Sequence, residues 1–79
     1  MLSQIEIYVI DKIKEFRLKN KMSQAEFAFF LNVSTGFIGK IESKNLNGKY
    51  NLNHINKIAK HFNVNPQIFL PEKACDWNK

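Results

Sequence analysis

The sequence predicts a single all-α domain of five helices, and two patterns support this prediction. Apolar residues recur at spacings of three and four along most of the chain, whereas runs such as FAFF and IFL are too short to form alternating strands. Several apolar segments begin just after a serine or asparagine, residue types that cap helix N-termini. The length of 79 residues, 44% of them hydrophobic, suffices for one small core but not for a second domain.

The first two predicted helices each begin with a capping box, a serine followed three residues later by a glutamate. Ser3 begins helix 1, predicted over about residues 4 to 19, and Ser23 begins helix 2, predicted over about residues 24 to 31. Asn32 ends helix 2, because asparagine tolerates the left-handed backbone found at many helix ends. The chain therefore opens with a long helix followed by one of about two turns.

The third predicted helix covers about residues 35 to 43 and begins after Ser34, which is a suitable N-cap. Ile38 and Ile41 lie three residues apart, so both point toward the core. The segment SKNLNGKY follows; it is polar and contains the Asn-Gly pair typical of turns. A loop therefore separates helix 3 from the next helix.

Two further helices complete the predicted domain, which covers residues 1–70. Asn51 caps a fourth helix with an apolar stripe at helical spacing. A short fifth helix begins at Pro66, because proline suits the first helical position. Residues 71–79 are predicted to form a C-terminal tail in which Trp77 is the one large aromatic residue.

The composition excludes several classes of protein. No apolar run approaches the roughly 18 residues that a membrane span requires, and the N-terminus lacks the basic start of a secretory signal. We therefore expect a cytoplasmic protein without membrane contact. Cys75 is the only cysteine, which excludes an internal disulfide and a four-cysteine zinc site.

The sequence contains no evident catalytic or metal-binding group. The acidic residues are scattered singly and no nucleophile lies beside a base, so we expect a protein that is not an enzyme. His54 and His61 lie on one face of helix 4, but no cysteine or carboxylate completes a metal site, and a solvated surface explains them better. We expect no metal, no cofactor and no small-molecule ligand.

The positive charge is concentrated in the middle of the chain. The net charge is +5, and residues 12–60 contain ten of the twelve Lys and Arg residues but only three acidic ones, a balance of +7. A polyanion is the natural partner of such a segment. A solvated, lysine-rich surface that keeps the protein in solution explains the same charge equally well.

Helices 2 and 3, joined by the segment LNVS, have the outline of a helix-turn-helix. Together with IKEFR, MSQAEFA, LNVSTGFIGKIE and INKIAKHFNV, in that order, they give a chain that resembles the lambda-repressor-like DNA-binding domain, or Xre family, over about residues 6 to 70. The resemblance implies a small transcriptional regulator, a repressor, that binds duplex DNA with helix 3 in the major groove. It also implies a homodimer on a pseudo-palindromic site.

The outward face of helix 3 matches positions that the family uses to face the groove. The predicted base contacts are Thr35, Gly36, Phe37, Gly39 and Lys40. The resemblance also implies phosphate contacts at the starts of helices 2 and 3, and the loop after helix 3 is longer than the family's and lies beside the DNA-facing end of that helix. The predicted phosphate contacts are Gln24, Ser34, Lys44, Asn45, Asn47 and Lys49.

Gly36 and Gly39 each cost about 1 kcal/mol relative to alanine in a helix interior. One explanation is that bare backbone lets helix 3 approach DNA closely. The other is that glycine is tolerated because nothing packs there, in a helix that becomes ordered on binding. The sequence leaves both explanations open.

The resemblance further implies two structural features. Arg17 and Glu42 match a family ion pair that ties helix 1 to the end of helix 3, the alternative being two unrelated surface charges. Ala28 matches the small residue at the crossing of helices 2 and 3.

An apolar set of residues outside the helix-turn-helix suggests a candidate dimer or partner surface. The residues of this set are Phe29, Ile68, Leu70 and Trp77. They support an alternative function, in which an antitoxin-like or other protein-interaction module binds a partner protein and DNA binding is secondary.

Overall fold

The computed structural model describes residues 1–45 and 47–76, and within these residues it contains helices and no strand. The elements are α1 (Gln4–Lys19), α2 (Gln24–Leu31), α3 (Thr35–Ser43), α4 (Leu52–Phe62) and a 3-10 helix (Pro66–Phe69). Trp77, predicted as part of the apolar surface, lies outside the described residues. No described helix has both the length and the apolar character that crossing a membrane requires.

The prediction of five α-helices is wrong in its last element. The chain forms four α-helices, and the fifth element is a 3-10 helix of four residues. Its hydrogen bonds run from Ile68 N to Asn65 O and from Leu70 N to Gln67 O, each 3.0 Å and each spanning three residues. Leu70 precedes Pro71, which disfavours the α conformation at Leu70, so the segment is too short to complete an α-helical turn.

Side-chain caps fix where the α-helices begin. Ser3 Oγ and Ser23 Oγ accept hydrogen bonds from the amides of Glu6 and Glu26 at 3.2 and 3.0 Å. In return, each glutamate accepts from the backbone N–H of its serine, which completes both capping boxes. The first two helices therefore begin where their local sequence predicts.

Three helices end at a residue with left-handed backbone. Asn32, Lys44 and Asn63 follow α2, α3 and α4 with φ values of 61°, 59° and 56°. Asparagine tolerates this conformation better than most residues, whereas lysine has no such advantage. Lys44 nevertheless occupies it, at the point where α3 gives way to the loop.

The core lies between α1, the helix-turn-helix and α4. Its fully buried side chains are Ile10, Ile13, Phe27, Ile38, Ile41, Ile58 and Phe69. Phe16 packs edge-on against Phe62 and Phe69, with ring centroids 4.9 and 5.2 Å apart. The core holds α3 against α1 and α2 and leaves the opposite face of α3 to solvent.

Candidate nucleic-acid interface

The faces of α3 are sharply divided. Ile38 and Ile41 have no solvent exposure, whereas Thr35, Gly36 and Lys40 are exposed. The 3.6-residue period of the helix produces this division, because residues three apart share a face. The exposed face provides a hydroxyl group and an ammonium group, which are suited to base edges in a groove, and bare backbone, which leaves room beside them.

Phe37 and Gly39, the other predicted base contacts, lie at the edges of this face and are half-buried. The Phe37 ring packs against the core and lies 5.4 Å from the His54 ring of α4, centroid to centroid. Phe37 therefore joins α3 to α4, and only its exposed part is presented to solvent.

No packing requirement within the described chain demands glycine on α3. A Cβ added to Gly36 would meet Ser34 Oγ at 3.9 Å, and one added to Gly39 would meet Gln24 Oε1 at 3.7 Å. Both distances are ordinary van der Waals contacts, and neither glycine has positive φ. The domain has room for alanine at both positions.

A buried ion pair ties α3 to α1. Arg17 Nε and Nη2 donate to Glu42 Oε2 and Oε1, both at 2.8 Å, across 25 residues of sequence. The side chains are 7% and 4% exposed. Arg17 Nη1 also donates to the Met22 carbonyl at 2.7 Å, and Gln24 Nε2 donates to Glu42 Oε1 at 2.9 Å. One carboxylate thus joins α1, the start of α2 and the end of α3.

The charges of this pair stabilise each other. Burial alone raises the pKa of the Glu42 carboxyl, but the hydrogen bonds from Arg17 and Gln24, with the charge of Arg17, hold that pKa below its ordinary value of 4.5. The hydrogen bond to Glu42 raises the pKa of Arg17 against the opposing effect of burial. Both groups therefore stay ionised at neutral pH.

Two predicted phosphate contacts stand at helix starts and differ in how they are held. Ser34 is exposed, and its Oγ accepts from Phe37 N–H at 3.0 Å, so the hydroxyl group can still donate its own proton to another acceptor. Gln24 is half-buried, and its amide is directed at Glu42. The side chain of Gln24 thus serves the ion pair, in a role that the sequence did not indicate.

The loop between α3 and α4 is anchored to the core. A Cβ on Gly48 would lie only 3.2 Å from Ile41 Cγ1, so glycine permits a close approach to α3. Tyr50 is buried, with 7% exposure. The residues before Tyr50 that are exposed in the described part of this loop are Lys44, Asn45, Asn47 and Lys49. All four are predicted phosphate contacts, and the anchored residues hold them on the surface.

The two lysines of this loop reach acidic residues of α1. Lys44 Nζ donates to Asp11 Oδ1 at 2.6 Å, and Lys49 Nζ donates to Glu6 Oε2 at 2.7 Å. The hydrogen bond from Lys49 is the main cause of a lowered pKa at Glu6. Both carboxylates lie outside residues 12–60, so the charge balance of that segment overstates the positive charge of this surface.

A comparison with protein families decides the class of this chain. The model of the helix-turn-helix family matches residues 13–69, which include α2, α3, α4 and the 3-10 helix. The chain belongs to the helix-turn-helix family. It is of the lambda-repressor-like, or Xre, type, a family of DNA-binding regulators.

Solved structures show the same fold. The helix-turn-helix chain is similar to a hydroxypropylphosphonic acid epoxidase from S. wedmorenis (TM-score 0.76, 18% identity), over 92% of this chain and 38% of that one. A transcriptional regulator from Listeria innocua matches with a TM-score of 0.69 and 15% identity, over 90% of this chain and 64% of that one. A structure of apo-HppE matches with a TM-score of 0.71 and 19% identity, over 86% and 37%.

At these identities the likeness concerns the fold alone. The helix-turn-helix chain spans less than two thirds of the length of each of these three structures. A comparison with curated protein sequences found no match.

The apolar residues predicted as a partner surface are exposed where the structure describes them. Phe29 is 87% exposed, although Phe27, two residues earlier in α2, is fully buried. Ile68 and Leu70 are 43% and 39% exposed and line a surface groove of about 510 Å³ beside Pro71. These residues form two separate apolar features, one on α2 and one at the end of the 3-10 helix.

The histidines of α4 have structural contacts. His54 Nδ1 accepts from Asn51 N–H at 3.1 Å and completes the capping box of α4, while His61 stacks on Phe30 with ring centroids 4.1 Å apart. Burial, together with the charge of Lys57, lowers the pKa of His54. Within residues 1–45 and 47–76, no three His, Cys, Asp or Glu residues form a group that could hold a metal.

Tyr50 is a core residue that the sequence pattern assigned to a polar loop. Its position just before the cap Asn51, with buried Ile55 at the fourth helical position, is that of a hydrophobic staple. The spacing of Tyr50 and Ile55 around Asn51 was the signal in the sequence that could have predicted the burial of Tyr50. Nothing comparable marks Glu6 or Asp11, because their lysine partners lie 43 and 33 residues away.

Proposed function

We propose that this helix-turn-helix protein is a repressor that binds a specific duplex DNA site as a dimer, with α3 in the major groove. The observation that carries the proposal is the exposed face of α3, tied to α1 by the buried pair of Arg17 and Glu42. A helix that reads bases must keep its angle to the groove, and a bidentate ion pair constrains that angle.

The exposed face of α3 offers few side chains for reading bases. Lys40 is suited to donate to guanine O6 and N7, and Thr35 is suited to hydrogen-bond a base or to contact a thymine methyl group. Gly36 and Gly39 allow the backbone of α3 to come close to the base edges. With so few readers, part of the specificity is expected to come from DNA shape.

Phosphate contacts would fix the position of α3 without reading sequence. Ser34 and Gln24 stand at the N-termini of α3 and α2, where backbone amides favour anions. Because the amide of Gln24 is directed at Glu42, we expect the backbone at the start of α2 to contribute more than this side chain.

The proposed dimer would place two α3 helices about 34 Å apart along the DNA, one helical turn. Ile68 and Leu70 support a dimer surface at the end of the 3-10 helix, because both are exposed apolar residues beside one groove. Replacing both with serine is expected to yield monomers in sedimentation analysis. Leu18→Ser, which removes an exposed leucine of α1, is the matched control.

Selection of bound sites from a random DNA pool tests the proposal. The expected product is a pseudo-palindromic consensus, and fluorescence anisotropy on that site should show log K falling by about 0.9 per log salt for each phosphate contacted. A protein that shows no salt-sensitive binding to duplex DNA at micromolar concentration would not be a DNA-binding repressor. Selection of an unpaired half-site would remove the dimer from the proposal and leave DNA recognition in place.

Phe29 favours a second function, in which an antitoxin-like module captures a partner protein. Aromatic residues are enriched in the cores of protein interfaces, and Phe29 is more exposed than any other phenylalanine described. A stoichiometric protein that co-purifies with the wild type and is lost with Phe29→Ser, at unchanged DNA affinity, would support this function. A wild type that purifies without any such partner would argue against it.

A further inference from the structure

We propose that Glu6 and Asp11 of α1 belong to the DNA interface, where they compete with DNA phosphates for Lys49 and Lys44. The two carboxylates would thereby set the affinity for DNA and its dependence on salt. This inference rests on the proposed function, because it concerns the same surface.

The contacts that carry the inference are two ion pairs at the surface. Lys44 and Asp11 meet at 2.6 Å with side-chain exposures of 37% and 55%, and Lys49 and Glu6 meet at 2.7 Å with exposures of 54% and 28%. All four side chains are therefore within reach of solvent and of an approaching phosphate. Among the described residues no carboxylate lies within 4 Å of the Lys40 ammonium on α3.

The backbone keeps the two loop lysines beside α1. Lys44 has the left-handed conformation that ends α3, and Gly48 and Tyr50 fasten the loop to the core. Both lysine side chains therefore reach α1, and their ends are exposed to an approaching phosphate. Each lysine can thus pair either with one carboxylate of α1 or with a phosphate placed alongside α3.

When a lysine leaves its carboxylate for a phosphate, DNA binding is weakened by the free energy of the lost ion pair. Such a pair stabilises the chain only modestly, and that interaction is lost when the lysine turns to a phosphate. The carboxylate left behind also repels the phosphate. Removing the carboxylate should tighten DNA binding by up to about fivefold, which corresponds to about 1 kcal/mol, the upper end for an exposed ion pair.

Two substitutions remove the charge and preserve the fold. Glu6→Gln keeps the capping box of α1, because glutamine serves at this position as well as glutamate. Asp11→Asn is nearly isosteric at an exposed position. Glu15→Gln is the matched control: it makes the same change of net charge on α1, at a carboxylate whose recorded ion pair is with Lys12.

The experiment measures the dissociation constant of each full-length variant for one duplex across a range of salt concentrations, by fluorescence anisotropy. Glu6→Gln and Asp11→Asn are expected to bind up to about fivefold more tightly than wild type, and the double variant up to about tenfold. Their salt slopes should steepen by up to about 0.9 per released lysine. Glu15→Gln should gain clearly less, and thermal denaturation should show all variants folded.

Mutant cycles identify the lysine through which each carboxylate acts. In a Lys44→Ala background, Asp11→Asn should tighten binding no more than Glu15→Gln does, and the same holds for Glu6→Gln in a Lys49→Ala background. Gains that persist without the lysine would overturn the inference.

Three outcomes separate this inference from the proposed function. If the wild type binds duplex DNA but all three acid-to-amide variants gain equally, only net charge matters and the inference fails alone. If Glu6→Gln and Asp11→Asn weaken binding, the carboxylates position the lysines for DNA, and the inference again fails alone. If neither wild type nor variants bind duplex DNA at any salt concentration, the proposed function fails and the inference falls with it.

Discussion

The outer face of α3 and the loop that follows it are two parts of one proposed DNA surface, and they are built differently. The face of α3 depends on local sequence: a serine cap, a helical period and two buried isoleucines. The loop depends on contacts across 33 and 43 residues, which give each of its lysines an acidic partner on α1. On this proposal the base-reading part is exposed in advance, whereas the two lysines of the loop would first have to leave their carboxylate partners.

The largest loss of stability is expected from breaking the buried ion pair of Arg17 and Glu42, which ties the end of α3 to α1. Arg17→Ala leaves the Glu42 carboxylate buried without its partner, which should lower the free energy of unfolding by about 3 to 5 kcal/mol. Urea denaturation measures this loss. Lys12→Ala, which breaks an exposed pair with Glu15, should cost less than about 1 kcal/mol. Similar losses in the two variants would mean that the buried pair does not hold the domain together.

Acid should weaken the same ion pair, because protonation removes the charge of Glu42. The pKa of Glu42 is lower in the folded chain than its ordinary value of 4.5, so the unfolded chain takes up the proton first as pH falls. The stabilisation is complete above about pH 4.5 and is lost as pH falls through the folded pKa. Urea titrations between pH 7 and pH 3 should show a decline in the free energy of unfolding that is shallower in Glu42→Gln. An unchanged slope would assign the decline to other carboxylates.

Base preference should distinguish a lysine on the face of α3 from a lysine of the loop. Lys40→Ala should reduce discrimination at one position of each half-site by about 1 to 3 kcal/mol, while Lys49→Ala should weaken binding to all sequences alike. Dissociation constants for the selected site and for its single-base variants measure both effects. If both variants lose equal affinity for specific and random DNA, base reading occurs elsewhere than on α3.

Alanine at Gly39 distinguishes the two explanations for the glycines of α3. Because a Cβ at Gly39 meets no atom closer than 3.7 Å, Gly39→Ala should raise the free energy of unfolding by about 1 kcal/mol. DNA affinity should fall at the same time if α3 approaches DNA closely. Gly48→Ala is the contrasting variant, because its Cβ would crowd Ile41 at 3.2 Å and lower stability. A more stable Gly39→Ala protein with unchanged DNA affinity would favour a merely tolerated glycine.

The predicted bounds of α2 and α3, residues 24–31 and 35–43, are those of the structure. Both helices begin at serine caps, which act within three residues and are therefore legible in sequence. The prediction of a fifth α-helix was wrong because Leu70 precedes Pro71. A residue before proline is disfavoured in the α conformation, and this restriction outweighed the helix-start signal of Pro66.

Sequence reasoning reached less of the candidate site, because its remaining features depend on distant partners. The half-burial of Phe37 follows from contact with His54 on another helix. The direction of the Gln24 amide depends on where Glu42 lies. The pairing of the loop lysines depends on how α1 packs against the loop, and the spacing of apolar residues does not predict that packing.

Glycine and left-handed backbone do not coincide in this molecule. The described residues with positive φ are Lys21, Asn32, Lys44, Asn47 and Asn63, and none of the three glycines is among them. Glycine is thus absent where its conformational freedom would relieve strain. At Gly48 the missing side chain makes room for Ile41, within the molecule. At Gly36 and Gly39 no described neighbour needs that room, so inside the molecule these two glycines only lower the stability of α3, and any benefit from them must come from contact with another molecule.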